Sequence, residues 1–485
     1  MKSILRHADD CCCCRREFLQ SFGGAAGALT LFAAHGSASG ASSGPPREKR
    51  EPSVRVGFAY PPSASLKEQG YWSWPGSSFD PENAQREYAA RIKELADARK
   101  VDVAFEADPI DTPESADRFV AAAKASRPDA LVLVLFKKGH LEQVMKVLGA
   151  MPATPAILVA PIGVLLANSV RSIGARPRVH LINSLDVFGP IADALGVITA
   201  ARRLRDSLLL NIRGDKPQET FEKHLGTRVR QIPHSRFVEA YQQIAVDEGV
   251  RRLAASYTKG AREIVEPTRD DITDAARCFF ALKALIRDEN ADALMMECLT
   301  GLRKPHKHVP PCMGFMSLHD EGIVAGCQAD LEATLTMMLV RQLFDRPSFQ
   351  HNPCLDTERN HFFGAHCTAP SKMAGFDKPG EPYILRTHCE AGWGCVPQVL
   401  FPDGQQVTML HYFTGESPKM SVYTGRIVRC HPKLPAGCRT NAEIAVDGLD
   451  DVRDFVYGGH QVLFYGTGKK QLELFCKLSE IELVG

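Results

Sequence analysis

Two acidic residues in the second half of the chain stand where catalytic carboxylates are often found. Glu297 follows the apolar segment 293–296, and Asp330 precedes an apolar helical segment that begins at residue 331. In open α/β sheets, ligands bind beyond the carboxyl ends of the strands. Each acid also has a structural interpretation, because Glu297 could be a surface acid at a strand end and Asp330 a helix N-cap. Taken together, they indicate an active site that uses carboxylates.

Histidines are concentrated in the same part of the chain, with ten of the 16 at or after residue 306. His460 follows two glycines at the start of the last predicted strand, and glycine lets the backbone approach another group closely. His366 ends another predicted strand, while His308 shares a Pro-rich loop with the basic residue Arg303. Any one of these histidines alone is more often structural than metal-ligating. The basic loop is typical of a segment that faces a substrate.

The elements that must position these residues fall into three predicted domains. Apolar strand segments alternate with helical ones in the first two, which predicts parallel sheets covered on both faces. After residue 349, short strands separated by Pro/Gly turns predict an antiparallel β domain. The predicted fold class is α/β, with two open, Rossmann-like, parallel-sheet domains at 54–175 and 176–348 followed by a C-terminal antiparallel β-barrel-like domain at 349–485.

The first 40 residues read as an export signal. Arg15-Arg16 is followed by Glu17-Phe18-Leu19, a weakly apolar stretch at 21–34 and small residues at 36–38. This order is that of a twin-arginine signal peptide, and residues 41–53 read as a linker. The apolar stretch is too short to cross a bilayer stably, so we expect no membrane span after signal cleavage. The prediction is a periplasmic or extracellular protein.

Composition excludes several function classes. The chain has 485 residues, 44% hydrophobic and 24% charged, with a formal net charge of +1. These values are typical of a soluble globular protein, and without a basic cluster we expect no nucleic-acid binding. No glycine-rich phosphate-binding motif stands at a strand-to-helix turn. The cysteines beyond residue 14 all lie from Cys278 onward; most read as small buried residues, and Cys430 and Cys438 could pair across a turn.

The site residues resemble those of a known superfamily. Met296-Glu297-Cys298 and Cys327-Gln328-Ala329-Asp330, with the apolar helix that follows, resemble the metal-binding core of the L-fucose isomerase and L-arabinose isomerase superfamily. Tyr457-Gly458-Gly459-His460 is similar to the segment that gives this family its histidine ligand. The resemblance implies two α/β domains followed by a β-barrel-like domain, and a homo-oligomer.

The resemblance also implies an activity, the interconversion of an aldose and a ketose through an ene-diol. Glu297, Asp330 and His460 would hold a divalent cation, Mn²⁺ or another, and the two carboxylates would carry the proton between adjacent carbons. The residues expected to bind the sugar are Arg303, His308, His366 and Trp393. Two alternatives stay open: an exported, non-catalytic carbohydrate-binding protein, which would need aromatic platforms such as Trp72 and Trp74, and another metal-dependent sugar-active enzyme.

Overall fold

The computed structural model describes residues 49–69, 76–303, 306–433 and 437–485. The predicted export signal at 1–40, most of the linker at 41–53, and both Trp72 and Trp74 lie outside the described residues. Within these ranges, no helix combines the length and the apolar character needed to cross a membrane.

The first sheet has five parallel strands in the order β2-β1-β3-β4-β5. The strands are β1 Ser53–Ala59, β2 Asp102–Phe105, β3 Ala130–Leu135, β4 Ala156–Pro161 and β5 Val179–Ser184, and the helices are α1 Ser63–Gln69, α2 Pro81–Asp97, α3 Pro113–Ser126, α4 Leu141–Ala150, α5 Ala167–Gly174 and α6 Phe188–Arg205. Every residue of β3 is buried, as its unbroken apolar run predicts for a strand covered on both faces. The sequence does not predict β5, which joins this sheet although it lies beyond residue 175.

The second sheet has the order β11-β10-β6-β8-β7 and is parallel except for β7 at its edge. The strands are β6 Leu208–Ile212, β7 Gln218–Phe221, β8 Arg228–Ile232, β9 Ala261–Ile264, β10 Ala293–Met296 and β11 Val324–Cys327, and the helices are α7 His234–Gln243, α8 Glu248–Gly260, α9 Arg269–Asp288, α10 Cys298–Leu302, α11 Cys312–Asp320 and α12 Leu331–Phe344. Strand β9 is not part of this sheet and pairs with a strand of the C-terminal region. Because β10 lies between β11 and β6, the residues that follow these three strands meet at one edge.

The C-terminal region is a closed antiparallel barrel, which confirms the predicted fold class. Its strands and closing helix are β12 Phe349–Asp356, β13 His361–His366, β14 Tyr383–Arg386, β15 Val396–Val399, β16 Gln406–Phe413, β17 Lys419–Arg429, β18 Thr440–Val446, β19 Gln461–Tyr465, β20 Glu482–Val484 and α13 Lys469–Ser479. Six strands run in the order β16-β19-β12-β13-β18-β17, and pairing of β16 with β17 closes the ring. Strands β14 and β15 form a separate small sheet with β9.

Helix α12 joins the second sheet to the barrel. One hydrophobic core contains Met295 of β10, Met338 of α12 and Leu410 of β16. The hydroxyl of Thr336 also accepts a hydrogen bond from the backbone amide of Tyr412, with a donor–acceptor distance of 3.0 Å. Helix α12 is apolar enough to be buried against both layers. Its N-terminus is therefore fixed where the sheet edge meets the barrel.

Candidate metal centre

Glu297 lies at the carboxyl end of β10, beside the end of β6. All four residues of β10 are buried, and Glu297 is the first polar residue beyond them. Its backbone amide donates to the carbonyl of Ile212, the last residue of β6, at 3.0 Å. Its carboxylate is 37% exposed and lies 3.7 Å from Nε of Arg213. A carboxylate this accessible, whose ion pair with Arg213 is long, can meet an incoming ligand.

The turn that carries Asp330 has a strained backbone. Gln328 and Ala329 both adopt left-handed conformations, with φ of 57° and 51°. Such a conformation costs a non-glycine residue about 1–3 kcal/mol, and it persists where the surroundings fix it, often at functional sites. Here the amide of Ala329 donates to the carbonyl of Met296 at 2.9 Å. This cross-link places the backbone of Asp330 beside that of Glu297.

The end of β11 is fixed by its neighbours as well. The buried side chain of Gln350 donates to the carbonyl of Cys327 at 3.1 Å and accepts from the amide of the same residue at 2.9 Å. Gly326 makes room for Thr334, because a Cβ atom at position 326 would overlap the Thr334 hydroxyl. Tertiary contacts therefore hold the turn in a conformation that its own residues disfavour.

Asp330 and His460, which lie on different domains, are in direct contact. Oδ1 of Asp330 accepts a hydrogen bond from the amide of Ala333 at 3.0 Å, so the N-cap interpretation is confirmed. Oδ2 lies 2.7 Å from Nδ1 of His460. Burial alone would raise the pKa of Asp330, but the hydrogen bonds from His460 and Ala333 outweigh it and hold this pKa below its usual value. One side chain thus caps a helix and also binds a histidine.

A glycine shortly before His460 makes room for a second histidine. A Cβ atom at Gly458 would overlap the ring of His411, whereas one at Gly459 would make an ordinary contact of 3.4 Å with Oδ2 of Asp330. His460 is only 6% exposed, and its Nε2 atom has no hydrogen-bond partner among the described residues. A buried polar atom without a partner is costly and marks a place where a ligand group could bind.

Two further imidazoles near His460 also have a buried nitrogen without a hydrogen-bond partner among the described residues. The ring centroid of His366 lies 5.2 Å from that of His460. Within the part of the chain that the structure describes, Nε2 of His366 and Nε2 of His351 are buried without partners. Burial lowers the pKa of each to about 3, so both rings are neutral at neutral pH. The sequence predicts His366 as a site residue and misses His351, which lies within β12, a strand that it does not predict.

A second histidine–carboxylate pair adjoins the first. Nε2 of His411, on β16, lies 3.2 Å from Oε2 of Glu332, in the first turn of α12. Oε1 of Glu332 accepts from both the amide and the hydroxyl of Thr414 at 2.8 Å. Burial would raise the pKa of Glu332, but these hydrogen bonds outweigh it and the pKa is lowered. Neither residue is predicted from the sequence; the one available signal is a histidine between apolar neighbours, Met409-Leu410 on one side and Tyr412-Phe413 on the other.

Of the residues predicted to bind the sugar, His366 lies beside His460, and the other three lie in or against the segment that follows α10. His308 is buried, with Nε2 3.0 Å from Nε2 of His234. Burial lowers the pKa of His234 while the charge of Glu297 acts to raise it, so this pair faces the Glu297 side of the site. Arg303 is exposed at the end of α10. The ring of Trp393 lies against that of His306 in the same loop region, with centroids 4.3 Å apart and planes tilted by 49°.

The donor set fits a hard or borderline divalent cation. It combines carboxylate oxygens with imidazole nitrogen, which such ions accept. The 2.7 Å contact between Oδ2 of Asp330 and Nδ1 of His460 is a hydrogen bond, and it leaves Nε2 of His460 as the ring atom that could face a cation. Glu297 adds an accessible carboxylate at the same sheet edge. The three ligand atoms do not all lie within 4.8 Å of one another; among the described residues that holds only for Cys367, Cys389 and Cys438. Two of the three predicted ligands are therefore in contact, and Glu297 stands next to them in the fold.

Comparison with known proteins gives a distant similarity. No protein-family model matches the chain. Two curated sulfoquinovose isomerases are similar to it, one from Priestia aryabhattai and one from Priestia megaterium (strain ATCC 12872 / QMB1551). Each is 23% identical over 206 residues, covering 37% of this chain and 45% of the relative. The chain thus spans less than half the length of the curated relatives it matches. The similarity is weak, and it connects part of this chain to sugar isomerases.

Proposed function

We propose that the protein is a divalent-metal-dependent sugar isomerase that interconverts an aldose and a ketose. The observation that carries the proposal is the contact between Asp330 and His460 at the sheet edge that also bears Glu297. The similarity to sulfoquinovose isomerase supports the same reaction class. The candidate substrates are sugars of the fucose and arabinose type and sulfoquinovose.

Glu297, Asp330 and His460 would hold the cation, Mn²⁺ or another. When bound, it would polarise the sugar's carbonyl and the neighbouring hydroxyl. Glu297 is the better candidate for removing the proton from the carbon next to the carbonyl, because its side chain is 37% exposed and that of Asp330 only 17%. The proton returns to the former carbonyl carbon, and the hydroxyl proton moves between the two oxygens. One C–H bond breaks, another forms, and no external oxidant is needed.

The neutral imidazoles of His366 and His351 would hydrogen-bond sugar hydroxyls rather than act as charged groups. Each has one ring nitrogen already paired, His366 Nδ1 with the Thr368 hydroxyl at 3.0 Å and His351 Nδ1 with the Phe349 carbonyl at 3.0 Å. Each therefore has its Nε2 atom left for one polar partner. Buried polar atoms fixed in this way give a site specificity for hydroxyl groups at given positions.

The proposal is tested by proton exchange at the sugar carbon. Purified protein with Mn²⁺ is incubated in D₂O with a panel of aldoses and ketoses that includes sulfoquinovose, and NMR follows isomerisation and deuterium uptake. We expect Glu297→Gln to abolish both in the folded protein, because the amide cannot accept the proton. Glu239→Gln changes an exposed acid on α7 in the same way and should leave both unchanged.

Three outcomes would contradict the proposal. The first is full isomerase activity in Glu297→Gln, and the second is full activity after the metal has been removed. The third is tight sugar binding with no exchange for any sugar, which would favour a non-catalytic carbohydrate-binding protein.

A further inference from the structure

Three cysteines from separate segments converge at one end of the barrel. Cys367 directly follows β13, Cys389 lies in the loop between β14 and β15, and Cys438 precedes β18. The antiparallel pairing of His366 with Thr440 brings the first and third segments together. The Sγ atoms of Cys367 and Cys389 are 4.0 Å apart, and those of Cys389 and Cys438 are 3.9 Å apart. All three sulfurs lie within 4.8 Å of one another.

This spacing matches a metal site better than a disulfide. A tetrahedral Zn²⁺ ion with Zn–S bonds of about 2.3 Å places its sulfur ligands roughly 3.8 Å apart. The separations of Cys389 from Cys367 and from Cys438 exceed this value by about 0.1–0.2 Å, and the third separation is at most 4.8 Å. A disulfide needs an S–S distance of about 2.05 Å and would leave the third thiol alone. The pairing of Cys430 with Cys438 that the sequence suggests is not formed, since both are free thiols.

The surroundings suit thiolates. The backbone amide of Arg439 donates to Sγ of Cys367 at 3.5 Å, and the side-chain amide of Asn352 donates to Sγ of Cys438 at 3.7 Å. Such N–H donors stabilise negative sulfur and orient it, as hydrogen bonds to metal ligands do in known metal sites. The guanidinium of Arg439 is held nearby by the carbonyl of Thr387 at 2.8 Å. Positive charge and oriented donors thus converge on the cluster.

The described residues around the trio offer three ligand atoms and no fourth. Cys312 and Val396 pack against the trio and close its apolar side. Among the described residues, no fourth histidine, cysteine or acidic side chain has a ligand atom within 4.8 Å of all three sulfurs. A site with three protein ligands leaves one corner of a tetrahedron for water or another small ligand.

We propose that Cys367, Cys389 and Cys438 form a three-thiolate site for Zn²⁺, separate from the centre at Asp330 and His460. Thiolates select zinc and other soft or borderline ions, whereas carboxylates favour Mn²⁺, so the two sites would take different metals. The zinc ion would tie together three segments of the C-terminal region. It would also fix the backbone next to His366, whose ring lies against His460.

The test is metal analysis of the full-length protein, purified under reducing conditions with Zn²⁺ and Mn²⁺ supplied. We expect about one tightly held Zn²⁺ per chain, lost in Cys438→Ser and retained in Cys354→Ser, which changes an exposed cysteine outside the trio. Asp330→Asn should keep this zinc, which separates the thiolate site from the proposed isomerase centre. Replacement by Co²⁺ should give sulfur-to-cobalt charge-transfer absorption in the near ultraviolet.

The wild-type protein alone can decide the question if Cys438→Ser fails to fold. A protein without zinc in which all three thiols react freely would overturn the proposal. So would a disulfide between any two of the three, found by mass spectrometry after alkylation. Cobalt binding without the charge-transfer band would show that the metal binds elsewhere, and it would overturn the proposal too.

Discussion

Substituting Asp330 by asparagine and by alanine should separate its structural role from its proposed chemical role. Asparagine can still accept from the amide of Ala333, because it is among the best N-cap residues. Its amide group can donate to Nδ1 of His460 once the histidine proton sits on Nε2. Both hydrogen bonds therefore survive in Asp330→Asn, and only the negative charge is lost. Alanine removes both hydrogen bonds.

The two variants should differ in stability but not in metal affinity. Loss of an N-cap costs about 1 kcal/mol, and loss of a buried hydrogen bond to a charged group costs about 1.5–3 kcal/mol. The free energy of unfolding should therefore fall by roughly 2–4 kcal/mol in Asp330→Ala and by less than about 1 kcal/mol in Asp330→Asn. Removing a residue that only hydrogen-bonds to a metal ligand weakens metal binding about 10–100-fold. Removing a ligand should cost at least as much, so both variants should lose about 10–100-fold or more in Mn²⁺ affinity.

Denaturant unfolding of the metal-free protein measures the first effect, and Mn²⁺ titration calorimetry measures the second. Because the pKa of Asp330 is lower in the folded protein, the stability that its charge contributes is present above the unfolded value near 3.8 and is lost as the pH falls through the folded value. Any difference between the wild type and Asp330→Asn should thus disappear in acid. Wild-type Mn²⁺ affinity in Asp330→Asn would refute the assignment of Asp330 as a ligand. Equal destabilisation by both substitutions would refute the division of roles.

Two further predictions concern the scaffold. Gly326→Ala should lower the free energy of unfolding by about 1–3 kcal/mol and reduce isomerase turnover, because its Cβ atom would displace Thr334 and the turn before Asp330. The control is Gly139→Ala, where the space around the glycine is open. An equal shift of the thermal unfolding temperature in both variants would count against this reasoning. His319 is buried with its pKa lowered to about 4, mainly by burial. The free energy of unfolding of the wild type should therefore fall as the pH falls from 6.5 toward 4. His319→Gln should reduce this pH dependence by up to about 1.4 kcal/mol per pH unit. Identical pH dependence of both proteins in denaturant titrations would contradict the buried, neutral state of His319.

Local sequence patterns were sufficient for the elements that position the site. The buried strands β3, β6 and β10 and the helix α12 follow from short apolar runs or helical periodicity, which depend only on neighbouring residues. The pattern fails for β5, β8 and β12, where polar and apolar residues alternate irregularly. In the structure these strands are stabilised by pairing with strands distant in sequence, and such pairing overrides local propensity.

The candidate site divides in the same way. The positions of Glu297 and Asp330 after predicted strands, and of glycines before His460, can be read from neighbouring residues alone. The contacts of Asp330 with His460 and of His411 with Glu332, and the meeting of Cys367, Cys389 and Cys438, follow only from the folded arrangement. These contacts join residues separated by tens to more than a hundred positions, and their geometry is set by sheet order and barrel closure. No local pattern encodes such distances, since the packing of the whole core fixes them.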